Sequence, residues 1–125
     1  MSWDFKSDRP IYSQLVEQIE LKICSGEYPP GSKIQSVRDL AQEAAVNPNT
    51  MQKALSKLEE DGLLITNRTS GKFVTEDTNM IVQTKKKLAE EQISKFLESM
   101  SNLGYSGTET VSIISKVLED KKSER

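Results

Sequence analysis

A polar stretch in the middle of the chain carries the side chains best suited to chemistry. Asn and Gln can form paired hydrogen bonds with adenine, and Lys suits guanine or phosphate. From Asn47 to Lys57 the sequence contains such residues and no carboxylate. The candidates are Asn47, Asn49, Thr50, Gln52 and Lys53. This composition is typical of a surface that contacts nucleic acid.

Further basic side chains flank this stretch. Lys33 and Arg38 precede it, and Arg68 and Lys72 follow it. Between residues 33 and 75, six basic residues face five acidic ones, whereas the whole chain has a net charge of -2. Contacts of Lys and Arg with phosphate supply much of the affinity for DNA. An excess of one basic residue over this segment is therefore only a weak electrostatic argument for DNA binding.

The polar stretch belongs to a predicted helix-turn-helix. Asn47 can cap a helix whose first turn contains Pro48 and which ends at Gly62. Its predicted buried face consists of Met51, Ala54, Leu55 and Leu58. The capping box Ser36-Val-Arg-Asp39 opens a shorter helix directly before it. Two helices with so tight a connection form a helix-turn-helix.

A helix before this motif and a hairpin after it complete a winged helix. Apolar residues at helical spacing predict the first helix over residues 10–25. Two short β-prone runs, Leu63–Thr66 and Lys72–Thr75, predict the hairpin, and residues 33–34 could add a third small strand.

A different pattern begins after Glu76. Asp77 offers a cap for a long helix that ends before Gly104, and the capping box Ser106-Gly-Thr-Glu109 opens a final helix. The apolar residues that we assign to dimerisation are Leu88, Ile93, Phe96, Leu97, Val111, Ile114 and Leu118. They are too many for two helices to bury between themselves. We therefore predict a mostly α chain with a small β-hairpin: a winged helix-turn-helix DNA-binding domain at 1–76 and a two-helix dimerisation unit at 77–125.

The composition excludes several classes of function. The chain has no histidine and one cysteine, which removes histidine-dependent catalysis, an internal disulfide and CxxC metal sites. The consecutive acids Glu59, Glu60 and Asp61 would point about 100° apart on a helix and cannot converge on one substrate. We expect no enzymatic activity, no metal and no cofactor. The sequence has no apolar run long enough for a signal peptide or a membrane span, so we expect a cytoplasmic protein without a membrane partner.

Each candidate residue also has an ordinary structural interpretation. Asn47 is a helix cap in any case, Lys53 and Lys57 could be solvated, and Arg38 could pair with Glu43. Gly71 could simply be the turn residue of the hairpin. The alternative function is a winged-helix module that binds another protein, which the acidic net charge favours. Binding to a nonspecific duplex at low salt would separate the two functions.

Linked motifs between Pro10 and Thr75 resemble the winged-helix domain of the GntR family of bacterial transcription regulators. These motifs are Pro10-Ile-Tyr-x-Gln-Leu15, Ser25-Gly-Glu-Tyr-x-Pro-Gly31, Ser36-Val-Arg-x-Leu-Ala41, Val46-Asn-Pro-Asn-Thr50, Gln52-Lys-Ala54, Leu58-Glu-x-x-Gly62 and Gly71-Lys-Phe-Val74. The stretch Asn47–Thr50 is particularly similar to the short YtrA-type branch. The chain departs from the family pattern at Gln35, where a proline is common, and at Thr69, where a second wing glycine is usual.

This resemblance implies a homodimer that binds an inverted-repeat operator in double-stranded DNA, with each recognition helix in a major groove. By position, Arg38 resembles an arginine that contacts DNA from the preceding helix. Arg68, Ser70, Gly71 and Lys72 occupy the wing. The branch implies a repressor, often of a transporter operon, with no separate effector-binding domain. The sequence does not define the operator, the regulated genes or a small-molecule effector.

Overall fold

The computed structural model describes residues 3–123, and the chain divides into two compact units, Met1–Lys85 and Lys86–Arg125. The helices are α1 (Ile11–Cys24), α2 (Val37–Ala44), α3 (Pro48–Glu60), α4 (Thr78–Asn102) and α5 (Gly107–Ser123). The strands β1 (Leu64–Asn67) and β2 (Gly71–Val74) lie between α3 and α4. This order confirms the predicted mostly helical fold with a winged helix-turn-helix.

Local hydrogen bonds explain why α2 and α3 begin and end where they do. The hydroxyl of Ser36 accepts a hydrogen bond from the Asp39 amide at 3.1 Å and caps α2. At the other end of α2, Ala45 adopts a φ of 57°, and the Val46 amide donates to the Ala41 carbonyl at 2.9 Å. This left-handed residue closes α2 tightly, so that α3 follows after only a short turn.

The core of the first unit lies between α1, α2, α3 and the base of the hairpin. Its fully buried large side chains include Leu15, Ile19, Ile23, Leu40, Met51, Leu55, Leu58, Leu63, Leu64 and Val74. Burial of each such apolar side chain contributes about 1.5–3 kcal/mol. Ile81 of α4 is 8% exposed and belongs to the same core, so α4 begins as part of the first unit.

The two antiparallel strands form the wing, with Leu64 opposite Val74 and Asn67 opposite Gly71. Both strands lie one residue away from the predicted runs. The Leu63 amide donates to the Leu58 carbonyl at 2.9 Å and so closes the turn that follows α3, and β1 begins only at Leu64. At the tip, Oδ1 of Asn67 accepts from the Thr69 amide at 3.0 Å, which tightens the turn.

The predicted third strand is reduced to one bridge between Lys33 and Phe73. On either side of it, the Ile34 amide donates to the Lys72 carbonyl at 3.0 Å and the Val74 amide donates to the Ser32 carbonyl at 2.9 Å. The base of the wing is therefore attached to the segment before α2.

The second unit contains the rest of α4 and all of α5. The predicted capping box at the start of α5 is confirmed, because the Ser106 amide donates to Glu109 Oε1 at 2.9 Å and the Glu109 amide donates to Ser106 Oγ at 3.1 Å. Hydrogen bonds from the backbone amide and the side chain of Ser106 lower the pKa of the Glu109 carboxyl. Along residues 3–123, no helix combines the length and apolar character needed to cross a bilayer.

Candidate nucleic-acid interface

The outer face of α3 presents the predicted base-contacting residues to solvent. Asn47, Asn49, Gln52 and Lys53 are exposed, and Thr50 is half-buried. The opposite face is buried because the apolar residues of α3 follow the helical period. The first turns of α3 therefore form a free polar surface.

Asn47 caps α3, as predicted. Its Oδ1 accepts a hydrogen bond from the Asn49 amide at 2.8 Å, and Pro48 follows in the first turn. Farther along, Nε2 of Gln52 donates to the Ser56 hydroxyl at 3.0 Å. This bond holds the Gln52 amide along the exposed face of the helix.

The two lysines of α3 have different environments. The Lys53 ammonium lies 4.9 Å from the centre of the Tyr12 ring, which is a cation–π contact with α1. The Lys57 ammonium lies 3.3 Å from Oδ1 of Asp61, and the hydrogen bond between them raises the pKa of Lys57. Within residues 3–123, Lys53 thus forms no ion pair, whereas Lys57 is paired with Asp61.

Arg38 and Arg68 extend the positive surface on either side of α3. Both are exposed, and within residues 3–123 neither forms an ion pair. The structure therefore does not contain the Arg38–Glu43 pair that the ordinary interpretation of Arg38 requires. Both guanidinium groups are available to bind phosphate.

An open groove of about 580 Å³ separates the wing from the start of α2. Its polar and charged lining includes Lys33, Ser36, Asp39, Arg68, Ser70 and Lys72. The groove brings the predicted wing residues together with the start of α2, whereas the predicted residues of α3 do not line it. Gly71 also lines the groove and has a φ of 109°. This left-handed conformation favours glycine, and a Cβ here would also lie 3.1 Å from Cε of Lys33.

Lys72 is held by two partners and lies in the wing, one residue pair away from the turn. Its ammonium forms an ion pair with Glu59 at the end of α3 and donates to Oγ1 of Thr66 at 3.1 Å. Burial opposes ionisation of Glu59, but hydrogen bonds from Lys72 and Thr66 outweigh it and lower the pKa of this carboxyl. The sequence analysis missed this pair because its members are 13 positions apart and no local pattern links them.

A family model described as bacterial regulatory proteins of the gntR family matches residues 11–74. The chain is 38% identical over 104 residues to the uncharacterized HTH-type transcriptional regulator YhcF of Bacillus subtilis (strain 168), covering 83% of this chain and 86% of the relative. It is 35% identical over 95 residues to the HTH-type transcriptional repressor YtrA of the same organism, covering 75% and 73%.

Solved structures give the same result. A GntR family transcriptional regulator from Listeria monocytogenes has a TM-score of 0.83 and 38% identity, covering 90% of this chain and 98% of that structure. The DNA-binding domain of AraR in complex with operator ORX1 has a TM-score of 0.54 and 29% identity, covering 60% and 99%. These relatives are DNA-binding transcription regulators rather than enzymes, in agreement with the sequence analysis.

Proposed function

We propose that this chain, which belongs to the gntR family of bacterial regulatory proteins, represses transcription as a homodimer bound to an inverted-repeat operator. The observation that carries the proposal is the exposed face of α3, where Asn49, Gln52 and Lys53 stand clear of the core. Arg38 of α2 and Arg68 of the wing turn form no ion pair within residues 3–123.

We expect some residues of this surface to contact base edges and others to contact the phosphate backbone. Asn49 and Gln52 would read base edges in the major groove, where recognition helices place their first turns. Thr50 and Asn47 lie at the N-terminus of α3, whose free N–H groups and partial positive charge attract phosphate. Arg38 and Arg68 would bind the backbone, with Ser70, Gly71 and Lys72 of the wing beside the adjacent groove.

The second unit supports the homodimer. Of the predicted dimerisation residues, Leu88 is half-buried and the others are exposed, with Val111 at 62% and Leu118 at 59%. Because exposed apolar patches mark interaction sites, a second copy of the unit is the partner we propose. We propose that residues 1–76 form the DNA-binding domain and that residues 77–125 form the dimerisation unit.

The regulatory role rests on the relatives. YtrA is named as a repressor, which supports repression by this chain. The resemblance to the YtrA-type branch also supports a cytoplasmic protein that controls a transporter operon.

The test begins with selection of a binding site from random-sequence duplexes by the full chain. Binding isotherms then compare the selected duplex with a scrambled one for Gln52→Ala and Asn49→Ala. Each change should cost about 1–3 kcal/mol on the selected duplex and relax the preference at one base position. Gln83→Ala, an exposed glutamine of α4, is the matched control and should bind as the unaltered chain does.

Two results would contradict parts of this proposal. Equal losses on both duplexes would show that Gln52 and Asn49 do not read bases. Failure of the unaltered chain to bind any duplex at low salt would contradict DNA binding and favour the protein-interaction alternative.

A further inference from the structure

Glu59, Thr66 and Lys72 form a cluster that joins the end of α3 to the wing. Thr66 and Lys72 are opposite each other in the hairpin, and the Lys72 ammonium donates to both the hydroxyl and the Glu59 carboxylate. The Lys72 and Glu59 side chains are only 15% and 29% exposed. A lysine that binds phosphate must expose its ammonium group, whereas Lys72 is mostly buried and forms an ion pair with Glu59.

The other cations of the surface contrast with Lys72. Lys33, Arg38 and Arg68 form no ion pair within residues 3–123. Lys72 lies in the same groove as Lys33 and Arg68 but has its own carboxylate partner. The charge of Lys72 is therefore compensated by Glu59 of the same chain.

We propose that Glu59 attenuates the DNA affinity of this surface by holding Lys72 in an intramolecular ion pair; the inference rests on the proposed DNA binding. A lysine adds to DNA affinity by replacing the counterions of a phosphate. Lys72 must leave Glu59 and Thr66 before it can do so, and the carboxylate of Glu59 repels the same phosphates. The unaltered protein consequently binds every duplex less tightly than its basic residues allow.

Glu59→Gln tests this directly, and Glu60→Gln is its matched control. Glu60 is the adjacent, exposed carboxylate, it forms no ion pair within the described residues, and its substitution changes the net charge equally. Glu59→Gln should tighten binding to both the selected and the scrambled duplex. Its plot of log affinity against log salt should steepen by about 0.9 per half-site, or about 3.5-fold in affinity for a fourfold change in salt. Glu60→Gln should give a smaller gain.

Two further variants keep the test decisive. Glu59→Asp retains the charge but shortens the side chain, so it should also tighten DNA binding although the net charge is unchanged. In a Lys72→Ala background, Glu59→Gln should no longer steepen the salt dependence.

The inference is overturned if Glu59→Gln and Glu60→Gln tighten binding equally, because the effect is then one of overall charge. It is also overturned if Glu59→Gln steepens the salt dependence equally without Lys72, or if Glu59→Gln and Glu59→Asp both weaken binding. If neither the unaltered chain nor any variant binds a duplex, the proposed function fails together with this inference.

Discussion

At the scale of single residues, Asn47 combines a role in folding with a proposed role at the DNA surface. Its side-chain oxygen accepts the hydrogen bond that caps α3, yet the residue stays exposed. A cap satisfies one of the N–H groups that a helix leaves unpaired at its start. Two substitutions can separate the two roles, because the cap needs only an acceptor whereas phosphate is sensitive to charge.

We expect Asn47→Asp to fold as stably as the unaltered chain, because the carboxylate is also a good cap and its charge suits the N-terminus of a helix. The same charge should repel phosphate and weaken binding to both duplexes. Asn47→Ala should lose about 0.5–2 kcal/mol of stability instead. Urea unfolding and duplex titration measure the two effects. Normal DNA binding by Asn47→Asp would mean that Asn47 is a cap only.

At the scale of elements, the contact between α1 and α3 directs the side chain of Lys53. The Tyr12 ring is half-buried and packs against the core, so it offers a fixed surface for the Lys53 ammonium. An ordered lysine loses less side-chain freedom when it binds DNA. We therefore propose that Tyr12 positions Lys53 for the DNA contact proposed for α3.

Tyr12→Phe keeps the aromatic face, and we expect it to bind the selected duplex as the unaltered chain does. Tyr12→Leu should lose the cation–π contact, worth about 0.5–1 kcal/mol at an exposed site, and bind about two- to fivefold more weakly. In a Lys53→Ala background the difference between Phe and Leu should vanish. A difference that persists there would assign the effect of Tyr12 to packing, which thermal melting would register.

The sequence predicts those features whose partners are close along the chain. Ser36 with Asp39, Asn47 with Pro48, and Ser106 with Glu109 define helix starts locally, and all three are in the structure. The winged helix follows from the order of the elements that they delimit.

Features that depend on packing could not be predicted in this way. The ion pair between Glu59 and Lys72 and the contact between Tyr12 and Lys53 join elements that meet only in the folded core. The shift of both strands by one residue has a similar cause. The Leu63 amide is bonded to the Leu58 carbonyl, and Asn67 pairs with Gly71 next to the turn, which no alternation of apolar residues encodes.

At the scale of the whole molecule, α4 contributes to both compact units. Ile81 is part of the core of the first unit, and a Cβ at Gly62 would lie 3.0 Å from Cε of Met80. The start of α4 is therefore packed against the end of α3. The stability of an isolated first unit should therefore depend on how many residues of α4 the shortened chain retains.

We expect a chain that ends at Lys85 to fold as a monomer and to bind the selected duplex much more weakly than the full chain, because two linked half-sites gain from effective concentration. A chain that ends at Glu76 should be less stable than the chain that ends at Lys85 by about 1.5–3 kcal/mol, which is the contribution of burying Ile81. Light scattering and urea unfolding test these outcomes. A dimer that survives the deletion after Lys85 would exclude residues 86–125 as the interface, and equal stability of the two shortened chains would show that Ile81 does not stabilise the first unit.

The bridge between Lys33 and Phe73 has a kinetic consequence for the wing. The amide protons of Ile34 and Val74 are bonded on either side of this bridge at the edge of the core, so we expect them to exchange slowly with solvent. The amide of Thr69 is bonded to the exposed Asn67 side chain, so we expect its proton to exchange with solvent faster. We therefore expect the wing to have a fixed base and a more mobile tip, so that Arg68 could contact a phosphate without any change in the rest of the fold.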